Sequence, residues 1–192
     1  ADAEYLGIST SPVAGNKTGD PLVQSPTIVV YDFDGNRTTS LTNVTISASV
    51  VVGSGYVESN GLASVVNGIA DFRNLTLVAP PGENQQLRFT LLGAVNSASA
   101  AVISPNSQNL SLTFADPTKL RISQQPSSLA VAAGLLGAQP MVRVEDRYGN
   151  LVTNYIGSID ATIAGSRPTI SYRENPADPW KPWAGSYGLT TA

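Results

Sequence analysis

Cysteine and histidine are both missing from the 192 residues. Their absence removes thiolate nucleophiles, Ser-His-Asp and Cys-His arrangements, zinc sites and haem ligation together. Charge is scarce as well. Lys and Arg number 11 and Asp and Glu 14, so 13% of the chain is charged, against about 25% in an average soluble domain. With a net charge of -3 and no Lys/Arg cluster, no basic stripe is present to neutralise phosphates, so nucleic acid is not expected as a partner. The longest apolar run, Leu129 to Ala138, is about half of what a bilayer helix needs, and no membrane insertion is expected. A hydrophobic content of 42% nevertheless suffices for a folded core. Carboxylate catalysis and oxygen-ligand calcium binding are the chemistries these absences leave open.

What the chain does have is an internal repeat. Tyr5 to Pro26 lies over Lys119 to Pro140 without a gap, matching Leu6 to Leu120, Ile8 to Ile122, Ser9 to Ser123, Pro12 to Pro126 and Pro26 to Pro140. The register continues through Asp32 and Asp146, Gly35 and Gly149, and Asn36 and Asn150, at a constant offset of 114, the difference between 119 and 5. A period of that size is a domain and not a solenoid rung. It divides the chain into residues 1–116 and 117–192, with the boundary near Asp116 and Pro117.

Short strands separated by turn residues fill the first copy. Thr27 to Tyr31, Val44 to Val50, Leu75 to Ala79, Gln86 to Leu92 and Leu110 to Phe114 are β-branched or alternating, and Asp-Gly-Asn, Gly-Ser-Gly, Asn-Gly and Pro-Pro-Gly turns bound them. No window keeps a helical period. Val44, Ile46, Ala48 and Val50 share one face of their strand, as in a sheet with one dry side. About seven such strands in about 110 residues predict an all-β fold, a β-sandwich. Its core is expected at Ile28, Val30, Val44, Ile46, Leu75, Leu77, Leu87, Phe89, Leu91, Leu110, Leu112 and Phe114.

The order of a proline-led strand, Asp-x-x-Gly-Asn, a polar strand, a Gly-rich loop, then Asn67-Gly68-Ile69-Ala70-Asp71-Phe72 and Leu75-Thr76-Leu77 resembles the immunoglobulin-like repeats of large surface proteins, of the invasin/intimin and filamin-like type. The resemblance covers the first copy nearly end to end. It implies two tandem immunoglobulin-like β-sandwiches, an extracellular or cell-surface location, and work as a spacer, stalk or adhesive module. Fold-level likeness of this kind specifies no ligand.

The second copy is incomplete within this chain. If Gly188-Leu189 corresponds to Gly61-Leu62, Ala192 stands where Val65 does, and the equivalents of Asn67 to Phe114 are missing. Two partners could supply them: a continuation of the chain opening with an Asn-Gly-x-Ala-x-Phe hairpin, or another copy of the chain by strand complementation. Ala1 to Thr10 is the candidate donor in the second case.

Three groups of residues invite a site. Asp32, Asp34 and Asn36 have the oxygen density of a calcium loop. The second copy, however, keeps Asp146, Gly149 and Asn150 and replaces Asp34 with Tyr148, which is what a tight turn with an Asx hydrogen bond would retain. The turn reading is therefore preferred, and no metal or cofactor is expected. An insertion at 167–187 carries Tyr172, Trp180, Trp183 and Tyr187 among Pro168, Pro176, Pro179 and Pro182. The prolines favour an extended loop whose aromatics could stack on glycans, anchor a protein or pack back on the sandwich. Five Asn-x-Ser/Thr triplets, at Asn16, Asn36, Asn43, Asn74 and Asn109, are candidate glycosylation sites. No spacing pairs two carboxylates for catalysis. The sequence reads as a non-enzymatic structural or adhesive module, part of a longer repeat protein or a subunit of a surface filament, with a carbohydrate-binding accessory module of a secreted enzyme as the alternative.

Overall fold

The computed structural model describes residues 3–41, 43–93, 102–128 and 134–161, with the backbone of 171–172 and 181–182. Every regular element among them is a β-strand. The strands are β1 (Tyr5–Thr10), β2 (Asn16–Lys17), β3 (Thr27–Tyr31), β4 (Thr45–Val52), β5 (Tyr56–Ser59), β6 (Leu62–Ser64) and β7 (Ile69–Asp71). They continue with β8 (Thr76–Val78), β9 (Asn84–Leu92), β10 (Leu110–Thr113), β11 (Pro117–Gln124), β12 (Met141–Asp146), β13 (Ser171–Tyr172) and β14 (Lys181–Pro182). The protein is all-β, and its sheets fit a β-sandwich at the coarse level.

The chain forms two compact units. One comprises Ala1–Arg121 with Arg143–Val152, the other Ile122–Val142 with Thr153–Ala192. The first unit thus takes in Pro117–Arg121 and Arg143–Val152, beyond the boundary that the repeat suggests at Asp116.

In the first unit a three-stranded sheet, β1-β3-β7, and a five-stranded sheet, β2-β10-β9-β4-β6, contribute to a single apolar cluster, with β8 paired to β5 beside them. Alternation decides which side chains enter. Along β9, Gln85, Leu87, Phe89 and Leu91 are buried while the residues between them face outward. Leu6, Ile28 and Val30 come from the first sheet, and Ile46, Leu87, Phe89, Leu110 and Leu112 from the second. Phe72 and Phe89 meet at 5.0 Å between ring centroids, tilted by 53°. Of the twelve expected core residues, eleven lie in this cluster; Phe114, one residue past the end of β10, is half-buried.

Chain switching between the sheets is a proline effect. The chain leaves the three-stranded sheet after Thr10, passes the buried Pro12, which has no N–H to give a ladder, and rejoins the other sheet as β2. A second irregular stretch covers the free side of β9. Ser104 and Ser107 donate backbone N–H groups to the carbonyls of Phe89 and Leu87, and accept the N–H groups of the same two residues on their hydroxyls at 2.9 Å. Pro105 stands between them, so serine hydroxyls complete what a regular strand would have done with carbonyls.

In the second unit, Ser123 Oγ donates to the Met141 carbonyl at 3.2 Å and Ile159 is buried. Ser171–Tyr172 pairs antiparallel with Lys181–Pro182.

Candidate functional site

The two Asp-x-x-Gly-Asn segments fold into the same turn, bond for bond. In the first, Asp32 N–H donates to the Asn36 carbonyl (2.9 Å), Gly35 N–H to the Asp32 carbonyl (3.1 Å) and Thr38 N–H to the Val30 carbonyl (2.9 Å). In the second, Asp146 N–H reaches Asn150 (3.0 Å), Gly149 N–H reaches Asp146 (3.1 Å) and Val152 N–H reaches Val144 (2.9 Å). Gly35 and Gly149 hold φ of 82° and 88°, the left-handed conformation that side chains resist. In both turns the Asp side chain caps the Asn N–H, at 2.8 and 2.9 Å.

At the second turn that carboxylate does more. Asp146 Oδ1 also accepts the Tyr148 N–H at 2.9 Å, and Oδ2 accepts the Ala115 N–H at 3.0 Å and Asn150 Nδ2 at 2.9 Å. Asp146 is fully buried. Burial opposes its charge, but the bonds from Asn150, Ala115 and Tyr148 outweigh that and hold its pKa below the ordinary aspartate value.

The two residues at the tip of this turn reach across the first unit. The Arg147 guanidinium donates to the Gly19 carbonyl and lies 4.7 Å from the Tyr148 ring centroid, a cation–π contact. Tyr148 Oη donates to the Glu58 carboxylate, 3.0 and 3.1 Å from its two oxygens. Burial, then the hydrogen bond and charge of Glu58, raise the Tyr148 pKa. Lys119 Nζ secures the turn's backbone from the other side, at 2.8 Å from the Arg147 carbonyl.

Gly19 follows directly on a second feature. Strand β2 pairs in parallel with β10, Asn16 beside Leu112 and Lys17 beside Thr113. Gly15 N–H donates to Ser111 (3.1 Å) and Thr18 N–H to Thr113 (2.8 Å). Thr18 Oγ1, buried, accepts the Ala79 N–H at 3.0 Å, tying the clasp to the core. Lys17 and Asp116 form an ion pair at 2.6 Å that raises the Lys17 pKa through its hydrogen bond and charge. Both side chains are exposed, where water and salt screen such a pair and it adds little, so the backbone bonds and Thr18 hold the clasp.

The residues singled out from sequence fare differently. Asp32 spends one carboxylate oxygen on the turn, and Asp34 and Asn36 are exposed at its tip. Among the described residues no three Asp or Glu side chains gather as a metal site would require. Trp180, Trp183 and Tyr187 lie outside the described residues, and Tyr172 is described only as backbone in β13. Of the Asn-x-Ser/Thr sites, Asn36, Asn43, Asn74 and Asn109 are exposed. Asn16 is buried, with its amide nitrogen on the Val13 carbonyl and its oxygen on the Val23 N–H. That engagement closes it to a glycan in the folded chain. Sequence reasoning missed Arg147, Tyr148, Glu58 and Gly19. The only signal was that the second turn exchanges Phe33 and Asp34 for Arg147 and Tyr148, donors that must point at something. Scanned against protein-family models, curated proteins and solved structures, the chain matches none of them.

Proposed function

We propose that the chain is a non-enzymatic, extracellular structural or adhesive module built of tandem immunoglobulin-like sandwiches, and that its work is to carry tension between its ends. The observation that carries this reading is the parallel clasp of β2 on β10. One of these strands follows the chain's entry into the first repeat and the other precedes its exit. Tension along the chain pulls the two past one another, so the Gly15–Ser111 and Thr18–Thr113 bonds strain together. An antiparallel hairpin pulled from its open end loses its bonds one at a time. Failure under force is governed by the unfolding barrier, and simultaneous rupture raises it.

The Arg147–Tyr148 turn supports the same reading. Though it lies beyond the repeat boundary in sequence, it is tied within the first unit to Gly19 and Glu58, beside the clasp. Neighbouring repeats are then the partners, and the Ser/Thr/Asn-rich, charge-poor composition suits an exposed stalk.

Single-molecule stretching tests the proposal. Pulled through residues 1 and 121, the first unit should resist with a clearly higher peak force than when pulled through residues 1 and 56, which peels strands apart. Equal forces in the two geometries would remove the basis for it. Glycan binding that disappears in Trp180→Ala and Trp183→Ala would instead mark a carbohydrate-binding accessory module.

A further inference from the structure

The second Asp-x-x-Gly-Asn turn closes a loop in the chain. Asp146 Oδ2 accepts the Ala115 N–H at 3.0 Å, so two residues 31 apart in sequence, 146 less 115, meet in the fold. Three further bonds fasten the closure, from Arg147 to the Gly19 carbonyl, from Tyr148 to Glu58 and from Lys119 to the Arg147 carbonyl. All of these residues belong to the first unit, which takes in Ala1–Arg121 and Arg143–Val152 and leaves Ile122–Val142 outside it. The first turn closes no such loop. The Asp32 carboxylate bonds the Asn36 N–H, four residues on, and Phe33 and Asp34 are exposed.

Connectivity fixes the order in which tension arrives. The chain leaves the first unit after Arg121, returns at Arg143 and leaves for the last time after Val152. A pull from the C-terminal side therefore enters this unit at Val152 and bears first on the turn. Strand β10 and the clasp lie behind it, at Thr113 and before. They take the load once Asp146 has left Ala115; until then the hydrogen bonds of the turn bridge the loop and the covalent path through residues 116–145 is slack.

We propose that residues 116–145 are a hidden length, and that the Asp146 turn is a release that opens before the clasp is loaded. The bonds are arranged for this order. A pull at Val152 takes the Val152 N–H from the Val144 carbonyl, then the Asn150 N–H from Asp146, then Tyr148 from Glu58 and Arg147 from Gly19, one after another. The two clasp bonds, by contrast, strain together. Sequential loss needs the smaller force. Once open, the 31 residues reach about 100 Å at roughly 3.3 Å each, and the paired strands β11 and β12, which lie inside the loop, open with them. The inference rests on the tension-bearing reading and adds its regulation: the clasp is shielded from load until the hidden length has run out.

Force spectroscopy on the full chain tests it. Native cysteine is absent, so Ala1→Cys and Thr153→Cys attach handles at two unique points, and Thr153 is exposed. A step of about 100 Å should precede the main rupture. Ten Gly/Ser residues inserted between the exposed Gly134 and Leu135 should lengthen that step by about 35 Å and leave the main peak unchanged. Tyr148→Phe, which removes the bond to Glu58, should lower the force of the first step alone, and its retained main peak shows that the variant is folded. With handles at residues 1 and 121, which bypass the turn, the step should vanish. A main rupture with no earlier step, a step whose length ignores the insertion, or the same step with handles at 1 and 121 would each overturn the proposal. The first step is read apart from the main peak, so equal main forces in the shearing and peeling geometries bear on the clasp and not on the release.

Discussion

Replacing Asp146 with Asn changes one atom and should cost far more than the same change at Asp32. The carboxylate at 146 is fully buried and accepts four hydrogen bonds, two on each oxygen. An amide keeps one oxygen. Its NH2 group must then face either the Ala115 N–H and Asn150 Nδ2, or the N–H groups of Tyr148 and Asn150, so two donors are left pointing at a donor. A hydrogen bond to a charged group contributes about 1.5–3 kcal/mol, and an unsatisfied buried donor costs about 1–3 kcal/mol. Rotation and water will recover part, so the net loss should be about 2–4 kcal/mol. Asp32 carries one such bond, to Asn36 N–H at 2.8 Å, which the amide oxygen of Asp32→Asn can still accept. That variant should lose less than about 1 kcal/mol. Urea unfolding at pH 7 followed by circular dichroism reads both values, and exchange of the Ala115 amide hydrogen reports the local effect. Equal losses in the two variants, or an Ala115 amide as well protected as in the native chain, would refute the assignment of Asp146 as the centre of the turn.

Acid should act through the same residue. The folded pKa of Asp146 is lowered, so its contribution is complete above the unfolded value of about 3.9 and disappears as pH falls through the lower folded value. Stability measured from pH 5 downward should drop in the native chain and drop less in Asp146→Asn. At the alkaline end the sign reverses: Tyr148 is raised, so its contribution is complete below about pH 10 and is lost as pH rises through the folded value, a dependence that Tyr148→Phe should remove from the alkaline unfolding curve. In the core, Phe89→Ala should cost about 3–5 kcal/mol in denaturant unfolding, since the fully buried ring packs against Phe72 and cannot be replaced by solvent. Gly68→Ala should cost more than Gly82→Ala although φ is similar, 73° against 79°, because a methyl at 68 meets the Thr38 carbonyl and at 82 meets nothing within 4 Å. The difference between their melting temperatures checks it.

Alternation made the first unit's core readable. Leu87, Phe89 and Leu91, or Leu110 and Leu112, can face inward only together, and they do. Burial of the core residues before β3 was harder to see, because Ala3, Leu6 and Leu22 are covered by elements that come later in the sequence. The repeat exposes the limit of pattern reading. Leu120 and Ile122 match Leu6 and Ile8, yet they are 61% and 53% exposed while Leu6 is 1% exposed. A strand's pattern states which side is apolar, and another sheet determines whether that side is dry. The turns were legible as turns, since Asp, Gly and Asn are demanded by backbone geometry at fixed offsets. Where their tips dock was not, because Arg147 to Gly19 spans 128 residues and no local rule connects them.

The parallel clasp also sets how much rope the protein can let out. The longest strand of the first unit, the nine residues of β9, is about 30 Å at roughly 3.3 Å per residue. A repeat of about 110 residues pulled straight reaches about 400 Å. Under the tension proposed above, once Gly15 and Thr18 part from Ser111 and Thr113, the unit pays out slack more than ten times its folded length. Tension on the neighbouring links then falls at the moment one link yields. Sandwiches of this topology refold in milliseconds to seconds, so a sacrificed link can be recovered between pulls. In the tension-bearing role proposed above, the position of two short strands would give a chain without cysteine the behaviour of a resettable fuse.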